Sequence, residues 1–253
     1  IGTNKNFPCP PNLSIPGGKH VAGGSSAGSA SAVSGGLTPL AIGTDTGGSV
    51  RIPASWQGLV GLKTSHGLIS LKGVVPLAQS LDTVGPLCKN VEDAYMFFKI
   101  ATKQSFSIFT KKNIKDYRIV VCKNLVWNNC DDEVKEIIDI ALHNLIKQGA
   151  NLESAEIPEI SNINNILEDH GELVLKEAWN NWSSIIKGNE IDVDPNVLHR
   201  MYIGKNTNSE DINIVKRGIK LNQAALNAKF KKIDVIAMPT VCIHPPLITE
   251  VKD

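Results

Sequence analysis

The sequence predicts an α/β fold, and three observations carry that expectation. Residues 1 to about 100 are rich in Gly, Ser, Pro and Thr with few charges, the texture of a loop-built site on buried strands. Beyond Phe106 the composition turns to Lys, Asn, Ile, Glu and Asp, with long periodic stretches. There a β-branched run, an amphipathic helix pattern and a second extended run follow one another, and strand, helix, strand is the ordinary grammar of an α/β layer.

Taken in order, the first helix candidate is Ser29 to Gly35, built of small residues, and a short apolar stretch, Leu37 to Ile42, follows it. Arg118 to Cys122 is a β-branched run and reads as a buried strand. Asp131 and Asp132 stand where a helix cap belongs. Behind them Val134, Ile137, Ile138, Ala141, Leu145 and Ile146 recur at three- and four-residue steps, and Gly149 suits the stop. Asn151 to Ile157 returns to an extended pattern. From about Ile160 to Lys187 the chain reads as helix, with Trp179 and Trp182 three apart on one face. Asn206 to about Asn213 reads as a loop, and Ile214 to Phe230 as a further helix. Val235 to Met238 reads as a core strand that feeds the turn marked by Pro239 and Pro245-Pro246.

Composition removes several function classes. The 253 residues, 42% hydrophobic, can bury a substantial core. Basic residues number 26 and acidic ones 25, so no basic stripe argues for direct nucleic-acid binding and no charge block for an interaction tail. Cys9, Cys88, Cys122, Cys130 and Cys242 are scattered, without the short paired spacing of a metal site or disulfide framework. Reduced thiols and a cytoplasmic location are the default. No apolar run reaches membrane-spanning length and no signal peptide is visible, although a targeting signal upstream of Ile1 stays open. A homodimer is allowed.

The most informative stretch is Gly23 to Pro53, which sets Ser25 and Ser49 in two glycine-rich bends 24 residues apart. Glycine lets backbone N–H groups approach a ligand closely, so a turn such as Thr46-Gly47-Gly48-Ser49 can aim several donors at one developing oxyanion. The stretch is not a P-loop, since no Lys-Ser or Lys-Thr pair follows its last glycine. It is not a GxSxG elbow either, and of the six histidines His66 and His244 sit in segments that could approach the site without belonging to a relevant motif.

About thirty consecutive positions here resemble the amidase signature family of serine amidohydrolases, whose element reads GGSS(G/A)GS followed by GTDTGGS(I/V)RxPA. Ala27 stands where the family more often has glycine. The resemblance continues through Gly58 to Lys63, His66-Gly67, Gly73 to Pro76 and Ser80 to Pro86, and upstream through Gly2 to Asn4 and Pro8 to Asn12. It implies a central mixed β-sheet flanked by helices on both sides, incomplete in this chain. Residues 1–253 then form one partial amidase domain, with 1–100 as its signature core and 105–253 as a more variable α/β and helical part.

The resemblance makes Ser49 the acyl-ester nucleophile and Ser25, behind a cis Gly24–Ser25 peptide, the bridging serine that relays its proton. Ser26 is then a supporting hydrogen-bonding residue. Thr46, Gly47 and Gly48, with Ser49 itself, are the oxyanion-hole candidates through their backbone N–H groups. Asp45 and Arg51 are expected to pair and brace the loop, and Thr44 to line the site. The family's third catalytic member is a lysine several dozen residues before the first bend, ahead of Ile1. Lys19 is too near the bend, and Lys63 matches a structural position. The chain therefore reads as an internal piece of a longer enzyme, catalytically crippled as it stands, because triad members act as a unit.

The activity implied is hydrolysis of a carboxylic amide to acid plus ammonia or amine, on a small-molecule substrate, with no metal or organic cofactor. Two alternatives stay open: the glutaminase subunit of a tRNA-dependent amidotransferase, and a degenerate member that binds without catalysis. Trp179 and Trp182 are read as a core stripe, with a wall of the acyl pocket as the sharper alternative.

Overall fold

The structure, a computed structural model, describes residues 2–4, 6–105 and 112–251. Its helices are α1 (Ala27–Ser34), α2 (Arg51–Trp56), α3 (Val91–Ala101), α4 (Leu125–Asn128), α5 (Asp132–Lys147), α6 (Pro158–His170), α7 (Leu173–Ile186), α8 (Pro195–Asn206) and α9 (Ser209–Lys229). Its strands are β1 (Leu40–Asp45), β2 (Val60–Gly61), β3 (Thr83–Cys88), β4 (Arg118–Cys122), β5 (Asn151–Ala155) and β6 (Val235–Ala237). The class is α/β. The chain sorts into two compact units, one of residues 1–109, 174–206 and 245–253, the other of 110–173 and 207–244.

In the first unit the strands form an antiparallel sheet in the order β1-β3-β2, with Leu40 opposite Cys88 and Asp45 opposite Thr83. All six residues of β3 are buried. That strand reads locally as a turn because it carries Gly85 and Pro86. It pairs on both sides regardless, since Pro86 still offers its carbonyl and accepts from Leu62 N at 3.2 Å. Beneath the sheet Ala30, Val50, Ala54 and Leu87 form one apolar cluster, with Leu59 packed against it. Helix α1 is small-residue throughout because its hydroxyls bind neighbouring backbone: Ser29 Oγ donates to Ile42 O at 2.8 Å and Ser31 Oγ to Pro11 O at 2.7 Å. Helix α2 tolerates Pro53 in its first turn, where no intrahelical N–H is required.

Helices α7 and α8 share a second apolar cluster in this unit. Ala178, Trp179, Ile186 and Met201 are buried, with Trp182, Val193, Leu198 and Tyr202 against them. The core-stripe reading of the two tryptophans describes this packing. Helix α8 itself is absent from the sequence reading, as are α2, α3 and β3. The single helix expected over 160–187 is two, because the chain turns at Gly171, where φ is +85° and ψ 171°. The loop expected from Asn206 is shorter than predicted: Asn208 caps α9 by accepting Glu210 N at 2.6 Å, so helix resumes at Ser209.

The second unit holds a parallel sheet in the order β5-β4-β6. The expected strand, helix, strand run is present as β4, α5 and β5. Asp131 takes the N-cap position of α5 without a side-chain cap bond. Val120, Cys122 and Ile157 form the buried core here, with Ile160, Leu226, Ile233 and Ile236 around it. Arg118 and Asp234 pair through two side-chain contacts of 2.8 Å, which holds the Asp234 carboxyl well below the usual carboxylate range. Among the described residues no helix is long and apolar enough to cross a membrane.

Candidate active site

Both serine-bearing bends lie in the first unit. The bend at Gly23–Ser26 precedes α1, and its Gly24–Ser25 peptide bond is cis. Ser25 is exposed and Ser49 half-buried. Ser26 joins the bends: its N–H donates to Ser49 O at 3.1 Å. Its Oγ exchanges hydrogen bonds with Thr44, donating to the carbonyl and accepting from the N–H, each at 3.3 Å. Ser26 holds the N-cap position of α1 yet makes no side-chain cap bond, because its hydroxyl is committed to β1. Gly43 leaves room for this contact, since a Cβ there would stand 2.5 Å from Ser26 Oγ.

The second bend closes around Asp45, which is fully buried at the end of β1. Its Oδ1 accepts Gly48 N at 2.7 Å, and its Oδ2 accepts Val50 N at 3.1 Å and Arg51 N at 3.3 Å. The Arg51 guanidinium grips the same carboxylate through Nε at 3.0 Å and Nη2 at 2.9 Å. Burial alone would raise the Asp45 pKa, but the guanidinium and the Gly48 and Val50 N–H groups outweigh it and hold the carboxyl below its ordinary range. Asp45 and Arg51 thus pair as the sequence suggests. Gly48, at φ +123°, gives the bend a backbone conformation that a side chain would strain. Its N–H is spent on Asp45, so the expected oxyanion set narrows to the N–H groups of Thr46, Gly47 and Ser49.

Lys63 lies close to this pair. Its Nζ donates to Thr64 O at 2.9 Å, and burial together with the Arg51 charge lowers its pKa, partly offset by Asp45. The two histidines weighed for a triad have other partners: His66 Nε2 meets Gln79 O at 2.8 Å, and His244 Nε2 meets Glu133 Oε2 at 3.2 Å. Among the described residues no group of three or more His, Cys, Asp or Glu could hold a metal ion.

Two residues outside the predicted set complete the frame. Thr83 Oγ1 donates to Asp45 O at 2.7 Å, and Thr46 Oγ1 donates to Asp82 Oδ1 at 2.6 Å. Both follow from the β1–β3 pairing, which sets Asp45 opposite Thr83. The Ser80 to Pro86 segment is visible in the sequence as part of a motif, but its partner strand is not.

An α/β fold with two serine-bearing glycine bends stitched together beside a buried carboxylate–guanidinium pair defines the class. Comparison with known proteins makes it specific. A family model described as Amidase matches residues 17–253. The chain is 32% identical over 255 residues to the 2-amino-5-chloromuconic acid deaminase of Comamonas testosteroni, covering 99% of this chain and 54% of that protein. It is 39% identical over 153 residues to a glutamyl-tRNA(Gln) amidotransferase subunit of Symbiobacterium thermophilum, covering 55% of this chain and 31% of that one. Among solved structures, the allophanate hydrolase of Kluyveromyces lactis superposes with a TM-score of 0.84 at 28% identity, over 99% of this chain and 42% of that chain. The chain belongs to the amidase signature family, and it spans about half the length of the deaminase.

Proposed function

We propose that this chain carries the serine part of an amidohydrolase that cleaves a linear carboxylic amide through an acyl-enzyme on Ser49. The observation behind this reading is the join between the bends: Ser26 N–H on Ser49 O places the residue next to Ser25 against the backbone of Ser49 itself. Ser49 Oγ attacks the amide carbonyl while its proton passes to Ser25 and on toward the lysine that the family resemblance places upstream. The oxyanion takes the N–H groups of Thr46, Gly47 and Ser49. The amine or ammonia leaves with the returned proton, and water then cleaves the ester, releasing the acid and restoring Ser49. Every step uses the chain's own oxygens and N–H groups and that one lysine.

Hydrolysis is favoured over the glutaminase role by the reach of the similarity. The deaminase aligns with 99% of the chain and the amidotransferase subunit with 55%. The test is a fluorophosphonate serine probe on the full-length protein. Labelling that disappears in Ser49→Ala is expected, and equal labelling of the wild type and Ser49→Ala would refute the assignment. Hydrolysis of a panel of glutamine, acetamide, an aryl acetamide and a long-chain amide then separates the roles. Turnover of glutamine only with added partner subunits would move the protein to the amidotransferase reading, and absence of both labelling and turnover to the non-catalytic one.

A further inference from the structure

The glycines that let the Thr46–Ser49 bend form also leave it little side-chain packing of its own, so something else must hold its donors in place. Asp45 holds one end through Gly48 N–H. The other end rests on Asp82, which is 4% exposed. Asp82 accepts the Thr46 hydroxyl at 2.6 Å, Leu77 N at 2.9 Å, and Ala78 N at 3.1 and 3.0 Å through its two oxygens. The loop that supplies those amides is itself fastened to α7. Trp182 Nε1 donates to Pro76 O at 2.7 Å, Asn181 Nδ2 to Leu77 O at 3.1 Å, and Ser80 N to Glu177 Oε2 at 3.0 Å. A cavity of about 160 Å³ lined by Leu71, Val74, Pro76, Gln79 and Asp82 lies on this loop.

We propose that Asp82 is a positioning residue for the amide-cleaving reaction: through the Thr46 hydroxyl it fixes the first peptide planes of the oxyanion bend, and α7 holds Asp82 in turn by clamping its loop. The proposal rests on the Ser49 acyl-enzyme reading. Thr46 is the last residue with a side chain before Gly47 and Gly48, so it is the one point at which a side-chain contact can restrain the bend from this end. A donor held in place ahead of the reaction needs no reorganisation in the transition state, and a loosened one loses most of that advantage.

The test uses full-length protein, with fluorophosphonate labelling rate, turnover and melting temperature measured together. Thr46→Val keeps the side-chain shape and removes the hydroxyl. It is expected to lower kcat and the labelling rate about tenfold or more, with KM changed less than about threefold and Tm shifted by only a few degrees. Thr46→Ser restores the hydroxyl and should recover most of the loss seen in Thr46→Val. Asp82→Asn placed on Thr46→Val should add little further loss, because both break one link. Wild-type rates in Thr46→Val, no recovery in Thr46→Ser, or losses that multiply in the double variant overturn the proposal. If Asp82→Asn does not fold, the two Thr46 variants decide alone. The Ser49→Ala control keeps the two questions apart: a dead Ser49→Ala beside an unaffected Thr46→Val removes the Asp82 role only, whereas a fully active Ser49→Ala removes the reading beneath it.

Discussion

Asp45 illustrates how one buried side chain organises a catalytic bend. Its carboxylate receives three backbone N–H groups and a guanidinium, so Asp45→Ala orphans several donors at once. Each unsatisfied buried donor costs about 1–3 kcal/mol, and Arg51 is partly exposed and recovers some hydration, so a net loss on the order of 3 kcal/mol is expected in urea unfolding. The Ser26 contact gives a second expectation. In Gly43→Ala the new methyl meets Ser26 Oγ at 2.5 Å and Leu87 Cδ1 at 3.0 Å. Overpacking of this kind costs about 1–3 kcal/mol, and because it pushes on the residue joining the bends, probe labelling of Ser49 should slow as well. The serines, Asp45 and Arg51 are legible in the sequence because they lie within one contiguous motif. Asp82 and Thr83 are not, since their roles arise only when β3 pairs with β1.

At the scale of elements, Gly171 divides what the apolar pattern reads as one helix. Its backbone, φ +85° and ψ 171°, lies in a region essentially reserved for glycine. Gly171→Ala is therefore expected to cost about 1–3 kcal/mol and to lower Tm by several degrees, measured by circular dichroism. Periodicity finds the apolar faces on both sides of this turn because α6 and α7 each bury one, and it joins them because a lone glycine can also sit inside a helix. Helix α8 carries a local signal that apolar periodicity does not register. Asp194 precedes Pro195 and accepts Asn196 N at 2.9 Å and Val197 N at 3.3 Å, which is an N-cap followed by a proline at the first helical position. Strand β3 is the opposite case, since Gly85 and Pro86 argue locally against the pairing that the tertiary fold imposes.

Across the whole molecule, two groups set limits on stability at opposite ends of the pH scale. The folded pKa of Asp45 lies below its unfolded value of about 3.9, so its contribution is present above about pH 4 and fades as pH falls below that. Cys130 behaves in the opposite sense. Burial, then the neighbouring Cys242 thiol, raises its pKa from 9.0 to about 11, so the folded chain holds a proton that the unfolded chain releases. Stability that is intact below about pH 9 should decline between about pH 9 and 11. Thermal melts across pH test both limits: Asp45→Asn should flatten the acid side and Cys130→Ala the alkaline side, each leaving the other unchanged.

By itself the sequence determined the family, the α/β class, the two serine bends and the strand, helix, strand run, because each is written in neighbouring residues whose chemistry acts locally. Only the tertiary structure decided which groups hold those bends. Ser26 N–H reaches Ser49 O, and Asp82 reaches Thr46, across separations of 23 and 36 residues. Such contacts depend on strand register, and register is settled by burying β3 between its two partners, a condition that no short stretch of sequence expresses.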